Sequence, residues 1–175
     1  MSTTGATQSI RTVEELLAYA DAIERDAALR YKALADQMEM HNNQELADFL
    51  REMSRIEWGH VNDIEKISEN MDLQPHQIKR CWVGLSGGEA PDFNDMHYLQ
   101  QPYHVIKMAL KFERDNTEFY SNLAKTVDNA VLGELAARLQ AEEEQHVSEL
   151  EKWLSRYPEP EPGWDEDMDP PVALE

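Results

Sequence analysis

Residues 57–66 read EWGHVNDIEK and residues 143–152 read EEQHVSELEK, so the pattern E-x-x-H-V-x3-E-K occurs twice, 86 positions apart. Three residues advance an α-helix by about 300°, which places a Glu and the following His on one face, a turn apart. Upstream of each copy lies a second repeated pattern, E-R-D-x4-Y-x2-L-A, at residues 24–35 and 113–124, 89 positions apart. The chain therefore reads as a duplicated helix pair. The three-residue difference in offset predicts a longer connection within the first pair. The alignment also chooses among the consecutive acids at 142–144: only Glu143 matches Glu57.

Outward from these motifs, apolar residues recur at three-and-four spacing, the mark of amphipathic helices. Four helices are predicted, over about 12–39, 43–70, 102–127 and 130–156. Thr12 followed by Glu15 opens the first with a capping box. The inward stripes include Leu16, Ala20, Ala27, Leu34 and Met38; Leu46, Leu50, Met53, Ile64 and Ile67; Ile106, Ala109 and Leu123; and Leu132, Leu135, Leu139 and Leu150.

Each stripe is broken near its middle by acid or imidazole: Glu24, Glu57 with His60, Glu113, and Glu143 with His146. An unpaired buried charge costs several kcal/mol. Four carboxylates at one depth also repel. Two divalent cations carry the charge that offsets four glutamates, and neutral His60 and His146 complete a donor set suited to iron, with manganese or zinc as alternatives.

About thirty residues, 71–101, separate the second and third helices and contain Pro75, Gly84, Gly87, Gly88, Pro91 and Asn94, all breaker signals. That length allows a crossover along the bundle, with a short helix near 75–81. The expected fold is all-α: two helical hairpins joined by a long crossover, the ferritin-like form of the four-helix bundle.

On Glu24, Glu57-x-x-His60, Glu113 and Glu143-x-x-His146, with Tyr31 and Tyr120 each two turns after a lone Glu, the chain resembles the rubrerythrin-type di-iron proteins of the ferritin-like superfamily. The resemblance spans about residues 10–157 and implies that these six residues hold two iron ions. Tyr31 and Tyr120 have two readings of equal weight, core packing with the hydroxyl satisfied locally and a role beside the ligands, orienting a carboxylate or passing an electron. The sequence departs from the family in two places. Rubrerythrins usually place a further glutamate one turn after the third-helix ligand, where this chain has Asn116, read as a donor beside the site. They also often carry a rubredoxin domain with two C-x-x-C pairs, and this chain has one cysteine, Cys81. Reducing equivalents are then expected from an external electron donor.

Composition bounds the rest. A chain of 175 residues is one domain with tails: 1–11 at the start, a bundle over 12–156, and an acidic, Pro-rich segment over 157–175. The net charge of −19 argues against nucleic acid and against an anionic membrane. No stretch is long and apolar enough to span a bilayer, and residues 1–11 lack a secretory core, so a cytoplasmic protein is expected. The final segment, YPEPEPGWDEDMDPPVALE, has no basic residue and reads as extended, with Trp164 or Val172–Leu174 able to anchor a partner. Glu142 and Glu144 read as a solvated face, Cys81 beside Trp82 as a packed thiol, and His41, His76, His97 and His104 as surface histidines.

The function expected from the resemblance is reduction of hydrogen peroxide or dioxygen at a di-iron centre, in a homodimer or higher homo-oligomer. Two other readings stand beside it: ferroxidase activity with iron storage or delivery, and a cargo module recruited through its acidic tail.

Overall fold

The structure is a computed structural model that describes residues 10–73 and 101–163. The predicted short helix at 75–81, Cys81, His76, His97, Trp164 and Val172–Leu174 lie outside the described residues. Those described form four helices: α1 (Val13–Met40), α2 (Gln44–Ile67), α3 (Pro102–Thr126) and α4 (Ala130–Leu154).

Local chemistry fixes where each helix begins. Thr12 Oγ1 accepts from the Glu15 N–H at 3.1 Å while Glu15 Oε2 accepts from the Thr12 N–H, the reciprocal box expected at the start of α1. Asn43 and Asn129 cap α2 and α4, each accepting from the N–H three residues on at 3.2 Å. Pro102 occupies the first turn of α3, where its missing N–H leaves no bond unmade. The first hairpin turns through Asn42, which adopts φ 58°; asparagine tolerates that left-handed conformation better than most residues.

The expectation of a longer first connection is corrected here. Both turns span three residues, 41–43 and 127–129, and the extra three residues instead lengthen α1, which has 28 residues against 25 in α3. A helix can absorb an insertion at its end by adding most of a turn, and here the added turn carries Met38 into the core. α2 is shorter than expected, ending at Ile67 rather than near 70: the Ser68 hydroxyl donates to the Ile64 carbonyl at 2.8 Å and closes the last turn. Ile67, expected inward, is 38% exposed because it lies past the end of the core.

Cross-helix contacts set the topology. Tyr19 packs on Phe119 with ring centroids 4.6 Å apart, and Tyr31 donates to Glu113, so α1 and α3 are antiparallel. Phe49 stacks on Trp153 at 4.5 Å, and Glu57 faces His146, so α2 and α4 are antiparallel. Since α1 also runs against α2, α2 and α3 are parallel, the arrangement of a ferritin-like bundle of two hairpins.

The apolar interior has two parts. One, near the hairpin turn of α1 and α2, gathers Leu34, Met38, Leu46, Leu50, Ile106 and Leu150. The other, at the far end, gathers Leu16, Leu17, Ile64, Tyr120, Leu132 and Leu139. Residues assigned to the tails join both: Ile10 is buried in the second core, and Tyr157 packs on the first, its hydroxyl accepting from Asn43 Nδ2 at 3.3 Å. Between the two cores lies a polar layer. No helix among the described residues is long and apolar enough to cross a membrane.

Gly59 lies within α2, and a Cβ built there meets nothing within 4 Å. Gly59→Ala is therefore expected to stabilise the protein by about 0.5–1 kcal/mol through helix propensity alone, read as a higher urea midpoint with unchanged slope.

Candidate metal centre

Six of the polar side chains in the middle layer come from the positions at which the four stripes are interrupted. α1 presents Glu24, α2 presents Glu57 and His60, α3 presents Glu113, and α4 presents Glu143 and His146. All four glutamates are at most 3% exposed. The structure brings the whole sequence-predicted set together.

Glu57 stands between the two imidazoles: its Oε2 is 3.3 Å from His60 Nδ1 and its Oε1 is 3.1 Å from His146 Nδ1. His60 Nδ1 also lies 3.4 Å from Glu24 Oε2. On the other side, His146 Nδ1 is 3.6 Å from Glu113 Oε2 and 3.5 Å from Glu143 Oε2. The rings of His60 and His146 are stacked, with centroids 5.2 Å apart and planes 14° from parallel. The donor atoms form two overlapping groups, Glu57–His60–His146 and Glu113–Glu143–His146, each within 4.8 Å. These buried Glu/His clusters are consistent with a dinuclear metal site.

The protein alone does not satisfy these atoms. Both oxygens of Glu57, Oε2 of Glu113 and Nδ1 of His146 are buried without a well-aligned hydrogen bond. Buried polar atoms left unbonded cost about 1–3 kcal/mol each, more when charged. Cations fit this cluster because they would engage all of these lone pairs at once. Carboxylate oxygen with imidazole nitrogen is a donor set for iron, manganese or zinc.

The protonation states follow from burial and mutual repulsion. Desolvation, then the charge of Glu113, pushes the Glu57 and Glu143 carboxyls well above the usual glutamate range. Glu113 goes the other way: burial opposes its charge, but the close approach of His146, Glu143 and Tyr31 lowers its pKa. Burial disfavours charge on His60 and His146, yet Glu24 beside His60 and Glu113 beside His146 outweigh it and raise both. Without metal, these shifts favour the protonated forms of Glu57, Glu143, His60 and His146.

The neighbours expected to assist behave differently from one another. The Tyr31 hydroxyl donates to Glu113 Oε1. Tyr120, at the equivalent place in the second repeat, is fully buried and its hydroxyl has no hydrogen-bond partner among the described residues. Asn116 is 2% exposed and its Nδ2 is likewise without a partner.

Three features escape the sequence reading. Arg30 is buried, with its guanidinium 5.1 Å from the Phe112 ring centre and 3.5 Å from Asp26, and desolvation lowers its pKa to about 9. An arginine next to a repeated tyrosine gives no sign of depth. Ser54 ties α2 to α1 by donating to the Ala28 carbonyl at 2.7 Å; a serine on an apolar stripe was the available signal. Glu142, read as solvated, is half-buried beside His60, and desolvation raises its pKa. Glu144 is exposed, as expected.

A family model for rubrerythrin matches residues 15–82. The structure is similar to that of an uncharacterized conserved protein from Magnetospirillum magnetotacticum, with 35% identity and a TM-score of 0.73, over 86% of this chain and 98% of that one. It is also similar to Rhodobacter capsulatus bacterioferritin, solved with a metal-free dinuclear site and heme iron, with TM-score 0.61 over 85% of this chain and 88% of that one; at 22% identity that likeness is one of fold. Among curated proteins, none matches.

Two outcomes test the centre. Glu57, Glu143, His60 and His146 all have raised native pKa values, so each contributes stability that is present at low pH and lost as pH rises through its native value. Metal-free protein is thus expected to lose thermal stability from about pH 5 upward, in scanning calorimetry across a pH series. Loading displaces those protons, so metal affinity rises with pH. At free metal about 1,000-fold over the dissociation constant, each ion adds ~4 kcal/mol to the native state, and chelation lowers the melting point accordingly.

Proposed function

Because the chain belongs to the rubrerythrin family of ferritin-like proteins, we propose that it is a di-iron oxidoreductase that reduces hydrogen peroxide or dioxygen with electrons from an external donor. The observation that carries this reading is the buried layer of four carboxylates and two stacked histidines, several of whose donor atoms are left unbonded by the protein itself. Glu24 and His60 would hold one ion and Glu113 and His146 the other, with Glu57 and Glu143 shared between them. When bound, an iron pair supplies one electron from each ion, enough to cleave an O–O bond without releasing a radical.

The chain's own residues prepare that chemistry. Apolar layers above and below shield the site from bulk water along the bundle axis. They also lower the local dielectric, which strengthens each carboxylate's hold on a cation. His60, with 20% of its side chain accessible, is the ligand open to solvent and marks where a small oxidant enters. Tyr31 stays protonated because burial, then the charge of Glu113, pushes its phenol well above its ordinary value. It therefore serves Glu113 as a fixed hydrogen-bond donor. Glu113 and Glu143 place donor atoms within 4.8 Å of each other, and Glu143, the more basic, can take up or release a proton during turnover. The proposal includes a homo-oligomer of at least two chains.

Asn116 favours a second reading. Where the family usually supplies another carboxylate, this chain has a buried amide without a partner. One fewer anion weakens the grip on the oxidised pair, which suits a ferroxidase that passes its iron onward for storage or delivery.

Turnover separates the two. Protein loaded anaerobically with Fe²⁺, then mixed with hydrogen peroxide or dioxygen in parallel, is expected to consume oxidant repeatedly when a reductant is supplied. Uptake of many irons per chain, with oxidant consumed only in proportion to added Fe²⁺, would overturn the oxidoreductase reading in favour of storage.

A further inference from the structure

The sequence repeat makes the two halves of the centre look interchangeable, and the structure does not. We infer that the two ion positions are unequal: Glu113 with His146 forms a tight position that fills first, and Glu24 with His60 forms an exchangeable position that fills second. This rests on the reading of the layer as a two-ion centre.

Three independent observations carry it. The first is the pair of tyrosines. Tyr31 donates to Glu113, whereas Tyr120, its counterpart seven residues after Glu113, has no hydrogen-bond partner among the described residues and gives Glu24 no such bond. A carboxylate already oriented by a hydrogen bond loses less freedom when it takes up a cation. Glu113 is therefore set in advance and Glu24 is not.

The second is access. The His60 side chain is 20% accessible and that of His146 is 6% accessible. An ion held by His60 is within reach of water and competing ligands. An ion held by His146 is released only if the helices part.

The third is the grouping of donor atoms. Glu113, Glu143 and His146 are all buried and converge within 4.8 Å, so three donors from α3 and α4 already surround one point. Glu24 belongs to neither converging group, and the group that contains His60 must borrow His146. Glu24 Oε2 lies 3.4 Å from His60 Nδ1 but outside both groups, so the second position has no converging third donor of its own. The repeat thus supplies equal ligands, and packing makes one set rigid and dry while leaving the other adjustable and wet.

The test is an anaerobic titration of the full metal-free chain with Co²⁺, followed by its visible ligand-field bands and by metal analysis after brief exposure to a chelator. Two binding steps are expected, with the second ion lost first to the chelator. Tyr31→Phe is expected to weaken the first step by about 10–100-fold and to leave the second unchanged. Tyr120→Phe should alter neither, since the hydroxyl it removes has no hydrogen-bond partner among the described residues. His60→Ala should abolish the second step and keep the first. Equal affinities with equal chelator loss would overturn the inference while leaving the two-ion centre standing. So would equal effects of the two tyrosine substitutions, or loss of the first step in His60→Ala. Absence of any Co²⁺ binding would overturn the centre itself.

Discussion

Four carboxylates at one level of a helical bundle repel one another across a medium that screens poorly. Everything else in this structure is arranged around that repulsion. Removing even one charged group from water carries a penalty of several kcal/mol that packing alone does not offset. The fold answers by placing an apolar core on either side of the layer, so that the helices are held together above and below the place where they would otherwise separate. It answers within the layer by two histidines beside Glu24, Glu57 and Glu113, whose pKa values those carboxylates raise, and by the phenol of Tyr31, which donates to Glu113. These measures are incomplete. Glu57, central to the layer and flanked by both imidazoles, has no aligned bond to either oxygen. A buried layer whose own residues leave its central carboxylate unsatisfied is one that cations fit.

The duplicated hairpin explains why such a layer can arise at all. One helix pair carrying a lone Glu and an E-x-x-H presents two carboxylates and an imidazole on its inner face. A second copy packed against it with antiparallel contacts doubles the set at the same depth. The copies differ where the chemistry needs them to differ. Ala27 in the first repeat corresponds to Asn116 in the second, and Tyr31 and Tyr120 share a position but not a bond. The three residues added to the end of α1 fall beyond the layer and leave the register of the ligands untouched.

Several structural elements outside the ligand set shape its electrostatics. Arg30 places a buried cation one residue from Tyr31, and its stacking on Phe112 holds the charge inside the α1–α3 contact. Ser54 pins α2 to α1 one turn before Glu57. Glu142 adds an anion beside His60, on the side of the cluster that faces solvent. The open half of the centre thus has the Glu142–Arg138 ion pair at its rim, and the closed half has the Tyr31–Glu113 hydrogen bond.

The helices, the duplication and the six Glu and His residues of the polar layer were legible in the sequence, because three-and-four spacing and the E-x-x-H step translate directly into a helix face. Capping at Thr12 and the identity of Glu143 over its acidic neighbours were legible for the same reason: both depend on interactions a few residues apart or on alignment to a copy. What periodicity could not supply was depth and direction in the assembled bundle. It placed Ile67 inside though α2 ends there, put the three added residues in the turn, read Glu142 as solvated, and gave no sign that Arg30 is buried. Nor could it tell His60 from His146 or Tyr31 from Tyr120, since each pair occupies equivalent positions in the repeat. Only the packing of α1 on α3 and of α2 on α4 decides which of two like residues meets a partner and which meets water, because that depends on contacts between helices far apart in the chain.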